Sequence, residues 1–557
     1  MAEEIEDFAH EYDFDSKTPG NGYRSFIYTY TCVLNCTKKM MKRISDSKSK
    51  FFADKEEDSK EVYVCSQMIQ SLFHIAMGLK EMHQAAEKGF LYGRSCHHDN
   101  IITRSARFIN HECFLGRSIG FQYLDSIKFP VKVLACMIAC HSVYYFTKEK
   151  HPMKVIQSLN RCKYYMSNPD ACARRLFEVN KHAEINFLVS FLNFSSCWPM
   201  KCLIDIMGAH LSINREFTIP TNELEIYSEK LQKKVSIPIP SSHAAVSPIL
   251  CRLLSAKKRH GMVTDNGELR GWKYECQSKY LIFHVHGGGW ISQSSKTHEV
   301  YLREWAIKLD VPILSIDYTL AQVAPFPRAI EEIVYAYCWT LKNSRKLGST
   351  GENIVFVGDS AGANLLTACL IRCIEMGVPT PKGMFNAYSI YLINLVETPA
   401  RFMGFTDAFL PFGLTLKIFN LYGNARKLNG PNCCGENLSP LHYCTKEEYF
   451  DANLMFEIPR DYLLSPYWAP DEILAQFPPT KILSMITDPC IDDCVDFAKK
   501  LRGLKVNVQI DILGPLIHGF LNFVNFSEDC HEASLKCMQH VAELLGLNVK
   551  DTIDTKK

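Results

Sequence analysis

The sequence predicts an α/β fold, a mostly parallel central sheet with helices on both faces, preceded by a largely helical N-terminal domain. Three observations carry this. Apolar runs alternate with helical stretches through the second half of the chain. Those runs are nearly continuous, which suits strands buried on both faces, the habit of parallel sheets. Residues 1–215 instead show apolar positions at helical spacing, with few prolines between Tyr23 and Cys197.

In the first half, Val62 to Met82 sets Met68, Leu72, Ile75, Met77 and Leu79 at helical spacing, and Val131 to Phe146 and Ala183 to Met207 read similarly. Ser45 to Lys60 is polar and reads as a solvated loop. After Asn214 the texture changes to β-like runs, Val235 to Pro238 and Ile249 to Leu254. Strands are then expected at Leu281–Val285, Ile313–Ile316, Ile354–Val357 and Ile482–Ile486, with helices at Glu299–Leu309 and Arg328–Leu341. Val506, Val508, Ile510 and Ile512 alternate with polar residues, the mark of a half-exposed strand near a sheet edge. Glu397 to Tyr467, with its Cys433-Cys434 pair, breaks the rhythm and reads as an insertion, either a lid or regulatory segment or a plain surface excursion. The expected division is 1–215 and 216–550, with the insertion at about 397–467 of the second domain.

Composition excludes several classes. The chain has 557 residues, 47% hydrophobic and 22% charged, which suits a globular protein and not a disordered one. With 62 Lys and Arg against 60 Asp and Glu it has no basic field for a nucleic-acid partner. The 23 cysteines are irregularly spaced without a CxxC pair, and the N-terminus from Met1 to Asp7 is acidic with no apolar core, so reduced thiols and a cytoplasmic setting are expected. Val133 to Phe146 is short for a bilayer span, so no spanning segment is expected, while peripheral attachment stays open. No Walker loop and no GxGxxG after a strand is present, so no nucleotide cofactor is expected. Cys96-His97-His98-Asp99 lacks a second cluster at ligand spacing, so no metal is expected. Lys42-Arg43-Ile44-Ser45 and Lys233-Lys234-Val235-Ser236 read as chance matches to kinase sites.

The chemistry lies in four loops. Gly358-Asp359-Ser360-Ala361-Gly362 follows the strand Asn353–Val357 and precedes a helix whose apolar face is Leu366, Cys369, Leu370 and Cys373. That strand-turn-helix context suits a nucleophile elbow, with a helix N-terminus behind Ser360; the bland reading is Ser360 as a helix cap. His286-Gly287-Gly288-Gly289 follows the strand ending at Val285, and three glycines point to a close backbone approach, such as amides aimed at an oxyanion; a phosphate-binding turn or plain loop is the alternative. A serine nucleophile needs a base and an orienting carboxylate. In the chain order Ser, Asp, His, Asp488 follows the strand Lys481–Thr487 and His518 follows Val506–Leu513. Asp492 and Asp493 rival Asp488 but start the next helix, where capping suits them.

These motifs, with Ser315-Ile316-Asp317-Tyr318-Thr319-Leu320-Ala321, Ala324-Pro325-Phe326-Pro327-Arg328-Ala329, Asp488-Pro489 and His518-Gly519-Phe520, resemble the hormone-sensitive lipase branch of the α/β-hydrolases. Pro19-Gly20-Asn21-Gly22-Tyr23-Arg24-Ser25 and Gly116-Arg117-Ser118-Ile119-Gly120-Phe121-Gln122 are similar to the N-terminal domain of that family's animal members. The resemblance implies an α/β-hydrolase fold and a serine lipase or esterase. Its triad would be Ser360, His518 and Asp488, with an oxyanion hole from the N–H groups of Gly287, Gly288 and Ala361. It implies neutral lipid substrates (diacylglycerol, also triacylglycerol, monoacylglycerol, cholesteryl and retinyl esters), no cofactor, a homodimer, and a cytoplasmic protein peripherally associated with lipid droplets. Rival readings are an esterase for small soluble acyl esters and a non-catalytic lipid-binding module. Departures stand at Gln322 and Val323, where the family has Pro-Glu, and at Ala363, where glycine is usual. The insertion is shorter than the family's mammalian regulatory segment and has no Arg-Arg-x-Ser.

Overall fold

The computed structural model describes residues 1–47, 55–86, 88–91, 101–148, 150, 152–182, 185–193, 205–206, 208–264, 266–393, 397–427 and 456–548. The expected Cys96–Asp99 cluster and the Cys433-Cys434 pair lie outside them.

Eight strands form the central sheet: β1 Ile213–Ile219, β2 Ile249–Ser255, β3 Ser278–Val285, β4 Ile313–Asp317, β5 Ser349–Asp359, β6 Gly383–Ala387, β7 Thr480–Met485 and β8 Val508–Leu513. Their order is β1-β2-β4-β3-β5-β6-β7-β8. β1 and β2 run antiparallel, β2 meets β4 antiparallel, and every pair from β4 to β8 is parallel. The mostly parallel sheet is therefore as expected, with β8 at the edge that its alternating pattern implied. β1 opens at Ile213, just inside the segment assigned to the helical domain.

Strand residues alternate between two cores. Leu281, Phe283 and Val285 of β3 face one apolar cluster, and Ile282 faces the other. The first cluster is closed by α10 Arg328–Asn343, α11 Ala361–Met376 and α14 Ile491–Gly503; the second by α9 Ser295–Leu309 and α15 Glu528–Leu545. This double cover is why the strand runs are continuously apolar.

The N-terminal helices extend both clusters. α1 Ala2–Ala9, α2 Gly22–Ser47, α3 Lys55–Ala85 and α4 Ile101–Ala106 add Ile5, Tyr23, Phe26, Leu72, Ile75 and Ile102 to the first. α5 Asp125–Phe146, α6 Met153–Ser167 and α7 Pro169–His182 add Ile127, Val131, Ala139, Tyr165 and Leu176 to the second. Another helix, α8, spans Ile185–Leu192.

Three local expectations change. Ser45–Ser47 and Lys55–Lys60 are helical rather than loop: Arg43 bonds Asp58 and Glu61, and Lys60 bonds Glu56 one turn away, so their charges are spent on helix-surface pairs. Met77 is exposed, while Met68, Leu72, Ile75 and Leu79 are buried. The apolar helix ending at Phe146 begins at Asp125 and runs through Pro130, so it is longer than a reading that stops at the proline. In length and composition α3 and α5 would each suffice to cross a bilayer, and each also lays a row of side chains on the core.

The motif Ala324–Ala329 proves to be a structural clasp. Arg328 is fully buried; its guanidinium donates to Glu332 at 2.7 Å and to the carbonyls of Ala244 and Ala245, each at 3.0 Å. Glu332 in turn accepts the N–H of Thr319 at 2.6 Å, just beyond β4. Removing Arg328 leaves a buried carboxylate without its cation. Arg328→Ala is expected to lower the unfolding free energy by about 3–5 kcal/mol in denaturant titration.

Candidate active site

Ser360 ends the β5 turn with φ 50° and ψ −121°, a backbone region that L residues seldom occupy. The crossing of elements around it explains the flanking glycines. A Cβ on Gly362 would lie 2.1 Å from the Val285 carbonyl, and one on Gly358 2.8 Å from the Ala363 amide. Helix α11 thus begins in direct contact with the end of β3, and no side chain fits between them.

Ser360 Oγ lies 2.9 Å from His518 Nε2, and His518 Nδ1 lies 3.0 Å from Asp488 Oδ1. The structure therefore brings together the three residues singled out in sequence. Asp488 is held by the Cys490 amide at 2.9 Å, and Thr487 Oγ1 donates to the Leu516 carbonyl, tying the Asp and His loops to each other. Burial pushes the His518 imidazole down, but the carboxylates of Asp488, Asp407 and Asp359 outweigh it and hold the group above its usual 6.5.

Asp492 and Asp493 do not cap their own helix. Asp492 accepts the amides of Gly22 and Ala400, both at 2.7 Å. Asp493 accepts those of Tyr391 and Leu392 at 2.9 Å and pairs with Arg401 at 3.1 Å. Their carboxylates reach outward because segments packed on α14 present amides that lack strand or helix partners.

The glycine loop requires a correction. The Gly287 amide donates to Asp359 Oδ1 at 3.1 Å and also approaches His298 Nε2 at 3.2 Å. It is turned into the protein and is not available to an oxyanion. Gly288 and Gly289, with φ of 105° and 62°, have amides for which no acceptor occurs among the described residues. Ala361 is the first residue of α11, where the amide has no intrahelical acceptor. Gly288, Gly289 and Ala361 thus keep amides with no acceptor among the described residues.

Beneath this loop lies a buried network that sequence reading passed over. Asp359, the variable residue of the elbow, sits 3.1 Å from His298 Nε2 and within 3.5 Å of the hydroxyls of Tyr301 and Tyr388. Burial alone would raise its carboxyl, but His298, His284 and His286 bring it down to about 2. His286 stacks on Tyr318 at 4.4 Å, and burial lowers it to about 4. His284 Nδ1 meets Ser315 Oγ at 2.8 Å, and Asp317 caps α9 at Ser295. The Ser315–Ala321 motif thus braces the glycine loop from below. Gln322 donates to the Ile291 carbonyl at 2.6 Å, while Val323 is exposed.

The described parts of the insertion form a wall of the site. α12 Pro399–Met403 and α13 Phe412–Tyr422 are largely buried. Tyr422 stacks on Trp290 of the glycine loop at 4.4 Å. Asp407 accepts the hydroxyl of Tyr123 at 3.1 Å and the amides of Phe409 and Leu410. A small hollow beside the Asp488 loop is lined by Ile390, Leu410, Phe412, Phe419 and Pro489. No local motif marks Asp407; only the fold brings it to His518.

Comparison with known proteins finds two matching families. Residues 1–263 match the family described as hormone-sensitive lipase N-terminus, and residues 282–522 match the α/β-hydrolase fold family. A hormone-sensitive lipase of Bos taurus is 30% identical, over 97% of this chain and 92% of that one. The chain belongs to the hormone-sensitive lipase family. Another such lipase, from Ictidomys tridecemlineatus, is 30% identical over 76% of this chain and 58% of its own. Among solved structures, an esterase of Pyrobaculum calidifontis is similar at 20% identity and a TM-score of 0.47, covering 65% of this chain and 93% of that one. As a member of the hormone-sensitive lipase family, the chain is a carboxylic ester hydrolase.

Three results are expected. The acid limb of kcat/KM against pH follows deprotonation of His518 and lies above the ordinary histidine range. Asp407→Asn removes a negative charge that favours the imidazolium, so that limb moves to lower pH. Gly362→Ala, forced against the Val285 carbonyl, costs about 1–3 kcal/mol of stability by thermal unfolding.

Proposed function

We propose that the protein hydrolyses neutral lipid esters, diacylglycerol foremost, through Ser360, His518 and Asp488. The observation that carries this is the continuous hydrogen-bonded line from Ser360 Oγ through both ring nitrogens of His518 to Asp488. Ser360 Oγ attacks the ester carbonyl while His518 Nε2 takes its proton. Asp488 holds the Nδ1 proton and stabilises the imidazolium. The amides of Gly288, Gly289 and Ala361 meet the oxyanion, and loss of one such donor typically costs 10²–10³-fold in kcat. His518 returns the proton to the leaving alcohol. Water, activated by the same histidine, then releases the acyl group from Ser360.

Triacylglycerol, monoacylglycerol, cholesteryl and retinyl esters belong to the same proposed range, since the reacting ester group is identical. A peripheral site of action on lipid droplets in the cytoplasm is supported by exposed apolar side chains on two adjacent helices: Phe129 and Val133 of α5, and Ile156, Leu159 and Met166 of α6. The proposed assembly is a homodimer, tested by sedimentation of the full chain.

Purified wild type is expected to hydrolyse both a soluble butyrate ester and emulsified diacylglycerol. Ser360→Ala should lose about 10⁶-fold in kcat on both and fail to react with a fluorophosphonate probe. Turnover of the soluble ester alone would make the protein an esterase for small substrates. Equal rates for wild type and variant would leave a lipid-binding module.

A further inference from the structure

The α5–α6 pair holds a cluster of thiols that ester hydrolysis does not use. Cys136 and Cys140 lie one turn apart on α5 and so share a face. Cys162 approaches them from α6. The Cys136 sulfur is 4.0 Å from that of Cys140 and 3.9 Å from that of Cys162, and all three lie within 4.8 Å of one another. Cys136 and Cys140 are buried, while Cys162 is half-buried and opens the cluster to solvent.

We propose that Cys136, Cys140 and Cys162 bind one zinc ion through three thiolates, with a fourth position open to water. With zinc–sulfur bonds of about 2.3 Å, the sulfurs of a tetrahedral site stand about 3.8 Å apart. The two Cys136 separations, 4.0 and 3.9 Å, match that edge closely, and the third is no more than 4.8 Å. They are nearly double the ~2.05 Å of a disulfide, and all three thiols are free. Thiolate is the ligand form, and binding releases the remaining thiol protons. Two supporting helices fix the sulfurs before the ion arrives, since Cys136 and Cys140 are themselves buried and the adjoining face of α5 is packed into the core through Val131, Ala135 and Ala139. The ion would bolt α6 to α5, the two helices that carry the exposed apolar side chains Phe129, Leu159 and Met166. The site stands whether or not the lipid substrate proposed above is correct.

The test uses the full chain, purified anaerobically with a phosphine reductant, loaded with zinc sulfate and desalted, with zinc measured by mass spectrometry. Wild type and Cys172→Ser, a nearby buried cysteine control, are expected to keep an equivalent that Cys136→Ser and Cys162→Ser lose at least tenfold. Cobalt(II) should give a thiolate charge-transfer band in wild type that weakens in both variants. Unchanged hydrolysis of the soluble butyrate ester by the variants would show that they remain folded. Wild type that retains no zinc with its thiols reduced, variants that retain as much as wild type, or a cobalt spectrum without the band would each overturn the proposal.

Discussion

The molecule is organised around carboxylates buried on and just before one helix. Asp488, Asp492, Asp493 and Asp496 are all nearly inaccessible. Burying an acid is costly unless polar partners replace water, and here the partners are drawn from separate parts of the chain. Asp488 takes His518. Asp492 takes the amide that opens α2 and the one inside α12. Asp493 takes the strand-end loop at Tyr391 and Leu392 together with Arg401, and Asp496 takes Leu91. α14 is thereby the common anchor of the N-terminal helices, the inserted helices and the loop that holds His518. Burial pushes Asp492 up to about 6 and Asp496 to about 7, from an ordinary 3.8. Between those limits the folded chain holds more protons than the unfolded one, so this pair's contribution to stability falls as pH rises.

The second constraint is the closeness of β3 to α11. It forces glycine at Gly362, places the amide of Ala361 beside the glycine loop, and puts Asp359 where it must be met by His298, Tyr301 and the Gly287 amide. An anionic carboxylate lies below the site as a fixed charge, surrounded by groups that hold it in place. The loop's first glycine is consumed in this bracing, leaving the following two to face outward. Preorganisation of that kind lets amide dipoles act on developing charge without rearranging.

Much of this was legible from residues alone. Continuous apolar runs at Leu281–Val285 and Ile354–Val357 marked buried parallel strands because both faces are covered. Ser360, Asp488 and His518 were legible because each follows a strand in a fixed chain order. Less visible were interactions made across the chain. Asp359 occupies a position where the motif tolerates any residue. Asp407 and Tyr123 meet each other only after α5 docks on the hydrolase domain. Gly287 and Gly288 look equivalent as letters, and only backbone direction separates them. The polar stretch around Lys55–Lys60 misled because charge density was read as exposure to water rather than as helix-surface pairing.

The short antiparallel ladder of Arg426–Lys427 with Phe456–Glu457 has a consequence for how chains of this kind can diverge. It holds Lys427 and Phe456, which flank positions 428–455 in the sequence, side by side. The entropy of closing a loop grows only with the logarithm of its length, so doubling such a segment costs about 0.6 kcal/mol. Whole modules can therefore be spliced at this neck, or trimmed from it, with little thermodynamic penalty to the hydrolase beneath.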